Sequence, residues 1–157
     1  MSVLIPPRLR HRPVVGGLVV PFMVDITRKP FSFAHLDGSA VSICATQRVC
    51  GVCGDVIRPT ERLAFLGATT NTYDQGERDC FGDPWMHEEC ARYSLATCPF
   101  ISRRLRFRNA DDVLPEIAQN HAEGWSLVIA RNGRAFFDGR IWHFHPNGVR
   151  KREAVSA

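Results

Sequence analysis

The sequence predicts a single α+β domain in which a cysteine-bearing knuckle and a helix sit between N-terminal antiparallel strands and a C-terminal three-stranded meander. Three observations carry that prediction: the tight turn Cys50-Gly51-Val52-Cys53-Gly54, a helical segment opening at Asp83-Pro84, and the hairpin dipeptides Asn132-Gly133 and Asp138-Gly139. With 157 residues, 45% hydrophobic and 23% charged, the chain suits one compact domain. That balance excludes a coiled-coil rod, a collagen-like chain and a wholly disordered tail.

Residues 1–13, with Pro6, Pro7 and Pro13 among arginines, read as a flexible basic arm. Arg8, Arg10, His11 and Arg12 ahead of the apolar run 14–24 imitate a secretory signal. Gly16, Gly17 and Pro21 interrupt that run, no small-residue cleavage site follows, and it falls short of the roughly 18 residues a membrane span needs. A buried strand is the expectation over 14–24, and with it cytoplasmic residence and no membrane partner. In a reducing compartment clustered cysteines are metal ligands or free thiols rather than disulfides.

Residues 31–35 and 40–45 are further short strand candidates, separated by turn signals at Lys29-Pro30 and Asp37-Gly38. Residues 62–67 read as a strand and the polar stretch 68–82 as a long loop. Aspartate suits an N-cap and proline the first helical position, so a helix is expected to open at Asp83-Pro84, with Glu88 and Glu89 favouring its dipole, and to stop near Cys98-Pro99. A shorter helix is expected over 112–122, closed by Gly124.

In the last third, strands over 125–131, 134–137 and 140–145 are joined by the two hairpin dipeptides into a meander. Two-residue loops would align Ile129, Phe136 and Ile141 on one face, and Ala130, Ala135 and Trp142 on the other. The domain is expected over 14–148, with 149–157 as a flexible tail.

Six cysteines are too few to staple a chain of this length, but their spacing is informative. Cys50 and Cys53 offer two thiolates from one turn, and His87 and Cys90, at i and i+3 on the expected helix, offer two more ligands from the other side. A tetrahedral zinc ion takes four such ligands, so Cys50, Cys53, His87 and Cys90 are the candidate site for one structural Zn2+ per chain. A Cys-x2-Cys-Gly knuckle, a strand or hairpin, then two ligands at a helix start resembles the treble-clef class of zinc sites.

Other chemistries fit less well. Cys-Gly-Val-Cys approaches the Cys-Gly-Pro-Cys of thioredoxin-like proteins, but those motifs open a helix after a strand, whereas Gly54, Asp55 and Pro59 follow here. A filled Cys3His shell leaves no place for an activated water, as zinc hydrolysis requires. The zinc deaminase signature maps onto His87, Glu88 and Glu89 only in reversed order. Cys44 and Cys98 read as core residues, and Cys80 as the substitute ligand should His87 not serve.

The segments Cys50-Gly51-Val52-Cys53-Gly54, Asp83-Pro84-Trp85-Met86-His87-Glu88-Glu89-Cys90-Ala91-Arg92-Tyr93 and Cys98-Pro99-Phe100 together resemble a group of small proteins from actinobacteria and their phages. The resemblance extends more loosely to the N-terminal strands and to 125–131. It implies a zinc-bound treble-clef core and carries no substrate with it. A more distant similarity is to HNH-type nucleases, which need a catalytic histidine on the hairpin strand; no histidine lies between Cys53 and His87.

The formal charge is +4, and only Lys29 and Lys151 among the 20 basic residues are lysines. Arg103, Arg104, Arg106 and Arg108, interleaved with Leu105 and Phe107, suit phosphate contacts from an extended segment. A solvated connector with arginine-rich codon usage explains them as well. In the expected meander, Arg131 and Arg134 join His143 on one face as a second basic patch. His143 and His145 read as wet strand residues. The leading expectation is a non-enzymatic, zinc-stabilised protein that contacts DNA or RNA. A regulatory, phage-associated adaptor for a protein partner comes next, and a nuclease or thiol redox enzyme third.

Overall fold

The computed structural model describes residues 3–68, 80–98, 101 and 125–155. The expected helix over 112–122 and most of the expected loop over 68–82 lie outside the described residues. Among the described residues the architecture is α+β, with two α-helices and antiparallel strands. Among the described residues no helix is long and apolar enough to cross a membrane.

The N-terminal segment read as an arm contains a 3-10 turn, Pro7–Leu9, whose Leu9 is fully buried in the core. The run 14–24 is not one strand. Gly16 and Gly17 both take positive φ, 58° and 80°, the combination that a two-residue hairpin turn demands. They join β1 (Val14–Val15) to β2 (Leu18–Val19). Residues 31–35 form no strand, and only Leu36 makes an isolated bridge, to Val24.

Residues 40–45, expected as a strand, lie within helix α1 (Gly38–Gln47). Asp37 decides this, because its Oδ1 accepts the backbone N–H of Ser39 at 2.8 Å and of Ala40 at 3.3 Å, an N-cap that closes the first turn. Ala40, Val41 and Cys44 then face the core, and Arg48 ends the helix in the left-handed conformation. The β-branched Val41 and Ile43 suggest a strand locally; the cap and the buried helical face override that preference.

β3 (Leu63–Ala68) matches the expected strand at 62–67. α2 (Glu88–Thr97) stops at Cys98 as anticipated but begins a turn later than Asp83-Pro84 suggests. The residues before it stay extended because Met86 exchanges backbone hydrogen bonds with Ala64 at 2.8 and 2.9 Å, and Trp85 accepts the Gly51 N–H at 3.0 Å. That extension sends Trp85 and Met86 into the core.

A three-stranded antiparallel sheet is present, but its strands are not those expected. β4 (Trp125–Phe137) runs unbroken through Asn132-Gly133, β5 (Trp142–Val155) follows, and β3 supplies the third strand in the order β3-β4-β5. Gly133 lies beneath the Phe65 ring: a Cβ there would stand 2.8 Å from Phe65 Cζ and 3.0 Å from the His145 carbonyl oxygen. Close packing, not turning, is the reason for that glycine. The true turn is at Asp138-Gly139, where Gly139 has φ 95°.

The register changes accordingly. Ile129 pairs with Lys151, Phe136 with His143 and Phe137 with Trp142, with a bulge between Ile129 and Ala130. The faces expected for Ile129, Phe136 and Ile141 and for Ala130, Ala135 and Trp142 therefore do not form as written. The segment 149–155, read as a tail, is the far half of β5, anchored where Glu153 meets Arg92 of α2 at 2.8 Å. Phe65, Trp85 and Phe144 stack edge to face at the centre of the core.

Candidate metal centre

The knuckle is a short antiparallel turn between Val49 and Val56, which form a bridge. Cys50 donates its N–H to Asp55 O at 2.9 Å, and Gly54 donates to Cys50 O at 3.0 Å. Gly54 has φ 81°, and a Cβ there would stand 2.9 Å from the Phe22 ring, so a side chain is excluded twice over. The redox expectation for this Cys-x2-Cys pair needs a helix to open at the motif; the pair sits in a turn that leads to extended backbone instead.

The other two donors come from the head of α2. His87 occupies the cap position with extended φ and ψ, and Cys90 lies in the first helical turn, where the helix dipole favours a thiolate. Because Met86 is pinned to Ala64 of β3 and Trp85 to Gly51 of the knuckle, the sheet delivers His87 to the cysteines. The ligand atoms of Cys50, Cys53, His87 and Cys90 all lie within 4.8 Å of one another, and all four residues are buried.

The His87 Nδ1 faces the Cys53 Sγ at 3.4 Å. Backbone donors approach the sulfurs as well: His87 N–H reaches Cys50 Sγ, and Asp55 N–H reaches Cys53 Sγ, each at 3.4 Å. Burial opposes ionisation of Cys50. Contacts with the Cys53 and Cys90 sulfurs and the N–H groups of Cys53 and His87 nevertheless hold its thiol well below the ordinary value. The Cys50 and Cys53 sulfurs, together with burial, push the Cys90 thiol far up.

The donor set fits a metal ion. With metal–sulfur distances of about 2.3 Å and metal–nitrogen distances of about 2.0 Å, tetrahedral donors stand roughly 3.5–3.8 Å apart, close to the 3.4 Å between Cys53 Sγ and His87 Nδ1. The buried His87 Nε2 has no hydrogen-bond partner and points toward the carboxylate of Glu61, 3.7 Å away.

Residues that the sequence did not single out surround this cluster. Arg8 donates its Nε to Glu89 Oε1 at 2.6 Å and lies 3.7 Å from Glu61 and 3.9 Å from Asp55. The His11 Nε2 lies 2.9 Å from the Cys53 carbonyl oxygen. A segment read as an arm thereby closes over the knuckle. The signal available in sequence was the pairing of Leu9 with basic neighbours, an apolar anchor among charges.

The remaining expected site residues divide. Arg103, Arg104, Arg106 and Arg108 lie outside the described residues. Arg131 and Arg134 are both exposed, but being three positions apart on one strand they project to opposite faces of β4. The single basic face with Arg131, Arg134 and His143 therefore does not form, because it depended on a turn at Asn132-Gly133. Cys44 is fully buried, and burial pushes its thiol up to about 12. Cys80 and Cys98 are not part of the metal cluster.

Comparison with protein-family models, with curated proteins and with solved structures finds no match.

Proposed function

We propose that this chain is a non-enzymatic binding protein stabilised by one structural zinc ion, and that its β4–β5 hairpin presents a basic and aromatic surface to nucleic acid. The carrying observation is the buried Cys50, Cys53, His87 and Cys90 cluster. Three thiolates and one imidazole suit zinc, and they fill a tetrahedral shell, leaving no open position for water or substrate. When bound, the ion would offset two of the three thiolate charges and tie the knuckle to α2, contributing its binding free energy to folding. The knuckle followed by β3 and two donors at the head of α2 supports a treble-clef-like arrangement.

The surface reading rests on the distal half of the hairpin. Arg131, Arg134 and Arg140 are exposed there together with Phe136 and Phe137. A two-stranded ribbon with cations on both faces has the width that a DNA major groove admits, and the aromatic rings offer stacking area to single strands. Arg103, Arg104, Arg106 and Arg108 would add phosphate contacts. The exposed apolar side chains of Phe136, Phe137 and Ile141 at the end of the hairpin, 57%, 48% and 54% accessible, favour a second reading in which the hairpin docks a protein partner.

Metal analysis of the purified protein should return about one zinc per chain, and chelation should abolish the cooperative thermal transition; a metal-free chain that melts cooperatively removes the zinc assignment. For the partner, fluorescence anisotropy with labelled DNA and RNA oligonucleotides should show affinity falling steeply with salt. Arg131→Ala with Arg134→Ala should lower the logarithmic salt slope by about two. Absence of binding at low salt would remove nucleic acid and leave the protein-partner reading.

A further inference from the structure

Away from the metal cluster, three side chains form a second chain of hydrogen-bonding groups. The Cys80 Sγ lies 3.4 Å from the His143 Nδ1, and the His143 Nε2 lies 2.7 Å from Asp138 Oδ2. A carboxylate only accepts, so Nε2 carries the proton and Nδ1 turns its lone pair to the Cys80 S–H. Each member is held in place. Asp138 Oδ1 accepts the backbone N–H groups of Arg140 and Ile141 at 2.8 and 2.9 Å in the β4–β5 turn. Phe136, the cross-strand partner of His143, stacks on its ring at 6.4 Å between centroids and 28° between planes. Phe81, next to Cys80, exchanges both backbone hydrogen bonds with Phe144, at 2.9 and 2.8 Å, so Cys80 is fixed beside β5.

We propose that Cys80 is a base-assisted nucleophilic thiol, with His143 as its base and Asp138 setting the tautomer, and that the site captures a small α,β-unsaturated carbonyl compound as a stoichiometric covalent adduct. The logic is that of a nucleophile, a base and an orienting third group. Burial pushes the Cys80 thiol above its ordinary value, so at neutral pH it is protonated and needs the neighbouring base.

The class of electrophile follows from the backbone. Acyl transfer needs N–H donors for an oxyanion, often including the residue after the nucleophile. Here that N–H, of Phe81, is committed to Phe144 O. Conjugate addition needs only a base that becomes an acid. The S–H proton moves to His143 Nδ1, the sulfur forms a bond to the β-carbon as the C=C π bond opens, and the electron pair is delocalised onto the carbonyl as an enolate. The Nδ1 proton then goes to the α-carbon, restoring neutral His143, so nothing is oxidised or reduced and no group leaves. Arg134, diagonally across on β4, and His145, two residues along β5, are the nearest ionisable side chains on that face of the hairpin, and Arg152, opposite Val128, lies farther along it.

The test uses N-ethylmaleimide, itself an α,β-unsaturated carbonyl compound, on the full chain with its metal, with peptide mapping to read each cysteine separately. Cys98 is the internal comparison: it is more exposed than Cys80, which is 8% accessible, so access alone would label Cys98 first. The expected result is that Cys80 reacts first, and that His143→Gln slows Cys80 by about tenfold or more without changing Cys98. Asp138→Asn keeps an oxygen for the turn N–H groups but presents an amide donor to Nε2. It should reverse the tautomer and slow Cys80 similarly. Because Asp138 lies in an exposed turn, that variant decides the matter if His143→Gln does not fold. Labelling of Cys98 before Cys80, or a Cys80 rate unchanged in the folded variants, overturns the proposal.

Discussion

The Glu61 Oε2 stands 3.7 Å from the His87 Nε2, on the side of the imidazole turned away from the Cys53 sulfur. The Arg58 N–H, donated to Glu61 Oε2 at 2.8 Å, together with the nearby His87 and Arg8, holds the Glu61 carboxyl below its ordinary value. An ionised carboxylate behind a ligating histidine fixes which ring nitrogen faces the metal and raises its basicity. Glu61→Gln is therefore expected to weaken metal binding about tenfold to a hundredfold while leaving the metal-loaded fold intact. Competition against a chromophoric chelator measures this, and an unchanged affinity would show that His87 is oriented by packing alone.

Gly133 provides a test of the sheet. Alanine there would bring a Cβ against Phe65, Leu63 and the His145 carbonyl, none closer than 2.8 Å and none farther than 3.1 Å. Gly133→Ala should cost about 1–3 kcal/mol, the range for overpacking a core. Gly82→Ala is the control, since nothing lies within 4 Å of its Cβ position, and it should stay within about 0.5 kcal/mol. Urea titrations of both variants supply the comparison; equal stabilities would mean that β4 does not pass under Phe65.

Asp37 is the residue on which helix α1 depends. Replacing it with alanine removes the acceptor for two N–H groups and should destabilise the protein by about 1 kcal/mol. Asp37→Asn, which still caps, should recover most of that loss. Were residues 40–45 a strand, neither change would matter to this extent.

Glu153 links β5 to α2, where Arg92 and then Lys151 hold its carboxyl at about 2, below the ordinary 4.5. A depressed carboxylate pKa means that its stabilisation is fully present above the unfolded value and is lost as the pH falls through the folded one. Glu153→Gln should therefore lower the melting temperature slightly at pH 6, the effect being modest because the group is exposed. The gap from the native chain should close toward about pH 2. A gap that persists at that pH would assign the loss to something other than charge.

The ligand residues were legible in the sequence because their chemistry is local. A Cys-x2-Cys-Gly turn brings two sulfurs together by itself, and a His-x2-Cys pair at a helix start puts two donors on one side. β3 and the end of α2 were legible for the same kind of reason, an apolar run and a proline after the helix. What failed depended on distant partners. Asn132-Gly133 has the composition of a hairpin turn, and only the Phe65 ring above it turns that glycine into a strand residue. The β-branched Val41 and Ile43 make residues 40–45 resemble a strand until Asp37 caps them into a helix. Met86 leaves the expected helix because Ala64 claims its backbone.

The sequence by itself determined which residues can bind metal and that the chain is α+β. Only the tertiary structure decided that Arg131 and Arg134 part to opposite faces, that Leu9 and Arg8 close over the knuckle, and that Cys80 meets His143 and Asp138. The physical reason is range: ligand spacing and turn chemistry act within a few residues. Strand register and side-chain pairing between segments as far apart as Cys80 and His143 are set by the burial of a shared core, which no local pattern encodes.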